Sequence, residues 1–135
     1  MASQRVAVIG ASGYDGLQTH RLLQGHPEFS VSFLGGERSS GKRWSQLTPF
    51  LPLPGDPVVQ SPQVDAIAEA ADFALLSLPN GLASRLAPVL LERGVMVVDL
   101  SADYRYSSLE QWKEVYASEA REFPREDAAL CQEAV

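Results

Sequence analysis

A chain of 135 residues is the size of one ordinary domain, and at 45% hydrophobic and 21% charged it has the apolar material for a core and none of the character of a disordered segment. A net charge of −6 gives no electrostatic case for binding nucleic acid or an anionic membrane surface. The single cysteine, Cys131, excludes an internal disulfide framework and agrees with a reducing cytoplasm, the expected location.

Residues 1–5 lead straight into a strand-like run without an apolar leader core, so no secretory signal is expected. The apolar runs are short and interrupted, so no membrane span is expected either. Arg5-Val6-Ala7-Val8-Ile9 is nearly continuous in apolar character and ends in glycine, the pattern of a strand buried on both faces. Residues 14–24 read as a helix with Leu17, Leu22 and Leu23 on one side; Gly25 is placed to cap it and Pro27 prevents its continuation. His20 within this helix and His26 before Pro27 read as surface residues. The alternating stretch 29–34 predicts a second strand, closed by Gly35 and Gly36.

Five of the nine prolines fall between positions 49 and 62, which makes that stretch loop or short edge strand. A short helix is predicted over 64–71 and a buried strand over 73–78, stopped by Pro79-Asn80-Gly81. Residues 82–93 follow as a helix with Gly94 at its C-terminal cap. Residues 95–100 are the most apolar segment and read as the most buried strand. Ser107 and Glu110 have capping-box spacing, opening a helix with Leu109, Trp112, Val115 and Tyr116 on one face, the aromatic pair serving as core.

Strands alternating with helices at this spacing predict βαβ units. The expected class is α/β: a Rossmann-like, doubly wound, mostly parallel sheet with helices on both faces, one domain over 1–135. Ligands in such sheets sit at the carboxyl ends of the strands. The loops there are 10–16, 35–43, 79–81 and 99–105.

Gly10-Ala11-Ser12-Gly13-Tyr14-Asp15-Gly16 joins the first strand to the first helix. Gly10 permits a tight turn, Gly13 lets backbone amides approach a pyrophosphate, and Gly16 lets the helix pack closely on the sheet. The helix N-terminus offers unpaired N–H groups to phosphates, and Ser12 can add a hydroxyl. The spacing Gly-x-x-Gly-x-x-Gly is a dinucleotide variant. A carboxylate at the end of the second strand is the usual ribose partner in NAD sites. Here Glu37-Arg38-Ser39-Ser40-Gly41-Lys42-Arg43 follows that strand, with three of the eleven cations inside six positions. Arg38 with Ser39 and Ser40 can grip a 2′-phosphate, which predicts NADP(H), while Glu37 would suit an NAD ribose. No metal-ligating set is predicted.

Four strings in order, Gly10 to Gly16, Glu37-Arg-Ser-Ser-Gly-Lys42, Ser77-Leu-Pro-Asn-Gly81 and Asp99-Leu-Ser-Ala-Asp-Tyr-Arg105, resemble the N-terminal part of the N-acetyl-gamma-glutamyl-phosphate reductase family. The resemblance covers essentially the whole chain. It implies an NADPH-dependent enzyme of arginine biosynthesis, cytoplasmic and homo-oligomeric, whose second α+β domain carries the catalytic machinery. It further implies that a cysteine thiolate attacks the acyl-phosphate substrate, that phosphate leaves, and that NADPH reduces the thioacyl group to a semialdehyde with a histidine as acid and base. Pro79, Asn80 and Gly81 follow a strand and precede a helix, so they can face the ribose and phosphates or serve simply as a turn; the resemblance would set the 99–105 loop near the nicotinamide, where Ser101 can bond the carboxamide. Tyr14 would join Gly10, Ser12, Gly13 and Gly16 at the cofactor.

This chain departs from the family pattern in three ways. The Asn-Pro-Gly-Cys type motif is absent, and Cys131 lies in Ala-Leu-Cys-Gln-Glu-Ala-Val, which reads as a buried helical thiol. Neither histidine matches a catalytic one, and Asn80 stands where a histidine is often found. The chain ends at Glu133-Ala134-Val135 as though mid-sequence, so no catalytic residue is expected in it and no turnover. Two rival readings remain: a non-catalytic dinucleotide sensor, and the same half of a reductase of an aminoadipyl or aspartyl phosphate. Arg105 can steady an anionic substrate or the neighbouring domain, and Asp103 and Arg105 can equally form a structural ion pair that shapes the loop.

Overall fold

The computed structural model describes residues 3–116. Strands β1 (Gln4–Ile9), β2 (Phe29–Gly35), β3 (Phe73–Leu76) and β4 (Met96–Asp99) form one parallel sheet in the order β2-β1-β3-β4. Helices α1 (Tyr14–Leu23), α2 (Trp44–Leu47), α3 (Val64–Ala70), α4 (Ala83–Glu92) and α5 (Leu109–Tyr116) complete the described elements. From β1 the chain steps to β2 on one side and then returns past β1 to β3 on the other. That reversal makes the carboxyl ends of β1 and β3 the topological switch point, the usual position of the ligand crevice in open α/β sheets.

The two-sided core follows from β1. Ala7 and Ile9 pack with Ile67, Ala83, Ala87 and Leu90, so α3 and α4 lie on one face. Val6 and Val8 pack with Leu34, Trp44 and Val59, joined by Leu17 and Leu23 of α1 on the other. The expected doubly wound arrangement is therefore the observed one. Cys131 lies outside the described residues.

Three local expectations are corrected. The first concerns α1, whose inward stripe runs through Gly16, Leu17, His20 and Leu23, spaced by three and four residues. Leu22 falls outside that stripe and is 71% exposed, whereas His20, expected on the surface, is 1% exposed. The reason is Trp44, whose ring centroid lies 4.7 Å from the imidazole. Trp44 is carried there by α2, a single turn between the loop stretches 35–43 and 49–62, and its Nε1 donates to the Leu51 carbonyl at 2.6 Å.

Burial holds the His20 pKa down at about 4 against an ordinary 6.5. Between those values the unfolded chain binds the proton that the folded chain refuses, so stability rises with pH across that window. As pH falls from about 6.5 to about 4, the protein is expected to lose up to about 3 kcal/mol through this residue. Urea unfolding of wild type and His20→Phe across that range checks it. Parallel pH profiles for the two proteins would refute it.

The second correction concerns β4. Its apolar sequence suggested the most buried strand, yet it pairs only with β3, and Met96, Val98 and Leu100 are 54%, 45% and 42% exposed. Continuous apolar character marks a strand that could be covered twice; within the described residues one face of β4 is covered by α4 and the other is open. Third, the cap of α5 falls one residue later than Ser107 and Glu110 suggested. The Ser108 hydroxyl accepts the Gln111 amide at 3.2 Å. Trp112 is buried as expected, with its Nε1 donating to the Ala102 carbonyl at 2.9 Å; Tyr116 is half-buried and Val115 exposed. No helix among the described residues is long and apolar enough to cross a membrane.

Candidate functional site

The glycine-rich loop leaves β1 at the crevice. Gly10 has φ +84°, and a Cβ there would stand 2.0 Å from the Ser77 carbonyl oxygen, at the end of β3. A Cβ on Gly16 would meet the Gly10 carbonyl oxygen at 2.2 Å, so α1 starts as close to the loop as backbone allows. Gly13 differs from both. A Cβ there would meet nothing nearer than the Gly10 carbonyl oxygen at 3.5 Å, and its backbone is extended. Internal packing thus explains two glycines and leaves the third facing open space, which fits the close approach of a ligand.

The amides of this loop divide in the same way. Gly10 and Ala11 both donate to the Gly35 carbonyl, at 2.8 and 3.2 Å, and Gly13 donates to the Gly10 carbonyl at 3.2 Å. These three bonds build the loop and fasten it to the end of β2. The amides of Ser12, Tyr14, Asp15 and Gly16 meet no protein acceptor among the described residues. Four donors at a helix mouth, without a capping side chain, are the kind of unpaired N–H groups that can hold a phosphate or pyrophosphate. The Tyr14 side chain stands almost fully exposed at that mouth.

The basic loop 37–43 lies alongside. Residues 57–60 hold it from outside: Gly41 donates to Val59, Val59 to Lys42, and Trp44 to Pro57, at 2.8 to 2.9 Å. Arg38, Ser40, Lys42 and Arg43 are exposed, whereas Ser39 is buried and its Oγ lies 3.5 Å from the Ser12 Oγ. A Cβ on Gly36 would come within 2.4 Å of the Ser39 Oγ, so that glycine makes room for the inward turn. Ser39 is therefore a strut between the glycine loop and the basic loop, and the outward groups are Arg38 and Ser40.

The loops after β3 and β4 are joined by Asp103. Its buried carboxylate accepts the Gly81 amide at 2.7 Å and the Ser84 amide at 2.9 Å, at the start of α4. Negative charge at that position also opposes the positive end of the helix. Asn80 Oδ1 accepts the Ala102 amide at 3.1 Å. The Gly81 amide and the Asn80 side-chain carbonyl are thus committed to holding the two loops together. Pro79 is the half-buried residue just before them. The Ser101 hydroxyl donates to Asp99 at 2.9 Å and accepts the Asp103 amide at 3.2 Å, so it shapes its own turn. Burial pushes the Asp99 carboxyl up, the Ser101 bonds oppose this, and the Asp103 charge adds to it. Arg105 donates to the Tyr116 hydroxyl at 2.6 Å while Asp103 spends its oxygens on amides. The part missed in the sequence is this capping role of Asp103; its signal was an acid two residues past a strand-end serine.

The chain matches the model of the semialdehyde dehydrogenase NAD-binding domain over residues 5–134. It is 70% identical over 131 residues to the N-acetyl-gamma-glutamyl-phosphate reductase of Parasynechococcus marenigrum (strain WH8102), and 71% identical over 131 residues to that of Synechococcus sp. (strain CC9605). Each alignment covers 97% of this chain and 37% of the relative, so the chain spans little more than a third of the curated relatives it matches. Among solved structures it superposes on aspartate semialdehyde dehydrogenase with NADP from Candida albicans, with a TM-score of 0.69 and 25% identity, over 87% of this chain and 37% of that one. With the strand order, the free helix mouth and a family match over nearly its full length in agreement, the chain belongs to the semialdehyde dehydrogenase NAD-binding domain family.

Proposed function

We propose that the chain is the NADP(H)-binding half of an N-acetyl-gamma-glutamyl-phosphate reductase. The observation that carries the cofactor part is the mouth of α1, where four amides lie free beside the open Cβ position of Gly13. The pyrophosphate rests there, held by backbone N–H groups and the Ser12 hydroxyl. Arg38 and Ser40, exposed on the loop after β2, take the 2′-phosphate by charge-assisted hydrogen bonds. The loop pair tied by Asn80 and Asp103 borders the nicotinamide end, with Ser101 setting the shape of its turn. When bound, the cofactor supplies a hydride; these residues bind and orient it.

The reductase activity rests on the similarity to the two cyanobacterial relatives. The acyl-phosphate substrate, the cysteine and histidine that process it, a homo-oligomeric assembly and a cytoplasmic location are proposed for the whole polypeptide. Identity of 70% to the glutamyl-phosphate reductase against 25% to the aspartate enzyme favours the glutamyl substrate over its shorter homologue.

NADPH at a hundred times its Kd is expected to stabilise the full-length protein by about 2.7 kcal/mol in a thermal melt, with NADH at the same concentration giving little. Arg38→Ala is expected to weaken NADPH by roughly tenfold to a hundredfold and to leave NADH unchanged, since one charge-assisted bond contributes about 1.5–3 kcal/mol. Equal protection by the two nucleotides would end the 2′-phosphate assignment. A preference that survives the substitution would move it to Lys42 or Arg43.

A further inference from the structure

NAD sites of this fold place a carboxylate at the end of the second strand, about 20 residues after the glycine motif, where it bonds the ribose hydroxyls. That place falls here on Gly35 and Gly36. It adjoins the glycine loop, because the Gly35 carbonyl accepts the Gly10 and Ala11 amides at 2.8 and 3.2 Å. Neither position has room for a side chain. A Cβ on Gly35 would stand 2.7 Å from the Ile9 Cδ1, inside the core. A Cβ on Gly36 would stand 2.4 Å from the Ser39 Oγ. Glu37, the acid that the sequence offers to a ribose, lies one residue further on and is exposed.

A single atom closes the position at Gly36. Beyond the Ser39 Oγ, the nearest neighbours of a Cβ there would be the Val59 Cγ1 at 3.4 Å and the Ser39 Cβ at 3.8 Å, both at ordinary van der Waals distance. Ser39 is 5% exposed, and its Oγ lies 3.5 Å from the Ser12 Oγ at the glycine loop. The chemistry differs in sign from that of an acid. A carboxylate accepts from a ribose hydroxyl and repels a phosphate, whereas a serine hydroxyl is uncharged and can donate.

We infer that Gly36 and Ser39 act as one specificity device, in which the inward hydroxyl fills the place of the ribose carboxylate and so excludes the NAD type of recognition. Arg38 and Ser40 then supply the attraction for the 2′-phosphate from outside. The inference rests on the dinucleotide reading of the α1 mouth and assigns its cofactor preference to an exclusion as well as to a charge.

The test is a set of variants of the full-length protein, each measured by urea unfolding and by titration with NADPH and with NADH. Gly36→Ala is expected to lower the urea midpoint, and adding Ser39→Ala is expected to restore it, since the Ser39 Oγ alone obstructs the new methyl. Gly36→Asp combined with Ser39→Ala is expected to bind NADH roughly tenfold to a hundredfold more tightly than wild type, the range of one charge-assisted hydrogen bond. The same protein is expected to bind NADPH at least roughly tenfold more weakly. Gly36→Ala combined with Ser39→Ala, which has the space without the charge, is expected to keep its preference for NADPH. A Gly36→Ala midpoint equal to wild type, or one that Ser39→Ala does not restore, would overturn the inference even if the aspartate variant does not fold. So would an NADPH preference that persists in the folded aspartate variant, with the dinucleotide reading left standing. Wild-type protein that binds neither nucleotide would end that reading and this inference together.

Discussion

Gly10→Ala is expected to abolish the native fold, whereas Gly13→Ala, three residues on, is expected to leave stability within about 1 kcal/mol of wild type and to remove dinucleotide binding. At Gly10 two costs add. An L-residue at φ +84° carries about 1–2 kcal/mol of backbone strain. The new methyl would also lie 2.0 Å from a carbonyl oxygen at the end of β3, in the middle of the sheet, where neither strand can retreat. Together they exceed about 4 kcal/mol, a large part of the roughly 5–15 kcal/mol that holds a domain folded. At Gly13 the methyl meets no internal obstacle, so its effect falls on whatever approaches the amides. Gly16→Ala is the intermediate case, destabilising through the 2.2 Å contact with the Gly10 carbonyl and closing the site as well. Chemical denaturation paired with nucleotide titration separates the three. Normal NADPH affinity in a folded Gly13→Ala protein would show that the open position does not face the ligand.

Asp103→Ala is expected to cost about 3 kcal/mol, a fall of roughly 10 °C in Tm, because two buried amides lose a carboxylate acceptor at once. Asp103→Asn should do nearly as badly. It preserves the shape but turns one of the two acceptors into a donor facing an N–H group. Hydrogen exchange locates the damage: the Gly81 and Ser84 amides are expected to exchange much faster while those of β1 are unchanged. A variant with unaltered protection at both amides would show that α4 finds another cap. Loosening of this loop should also weaken the cofactor, since it borders the crevice, yet by less than Gly13→Ala.

The layers of the fold were legible because β1, β3 and α4 combine the right period with glycine and proline at their ends. The glycine loop was legible as a strand-to-helix turn for the same reason, with Gly10 and Gly16 where backbone leaves no room for a Cβ and Gly13 at an open position. What misled was partnership across long sequence distances. His20 reads as polar surface until Trp44, well beyond it in the chain, is folded over it. β4 reads as doubly covered because composition records how apolar a strand is and not how many neighbours it has. Ser39 shares the polar character of Ser40, and only the small Gly36 beside it decides which of them turns inward. Asp103 and Arg105, close in sequence and opposite in charge, invited an ion pair; the amides at the start of α4 compete better for the acid than an exposed guanidinium does.

The central position of the first strand has a consequence for biosynthesis. β1 emerges from the ribosome before any of its neighbours, yet it needs a strand on each side, and the second of these ends at Leu76. Until then Val6, Val8 and Ile9 have at most one flank, and a nascent chain growing by about 5–20 residues per second holds this β-prone apolar segment uncovered for several seconds. Premature pairing with another chain is the hazard in that interval.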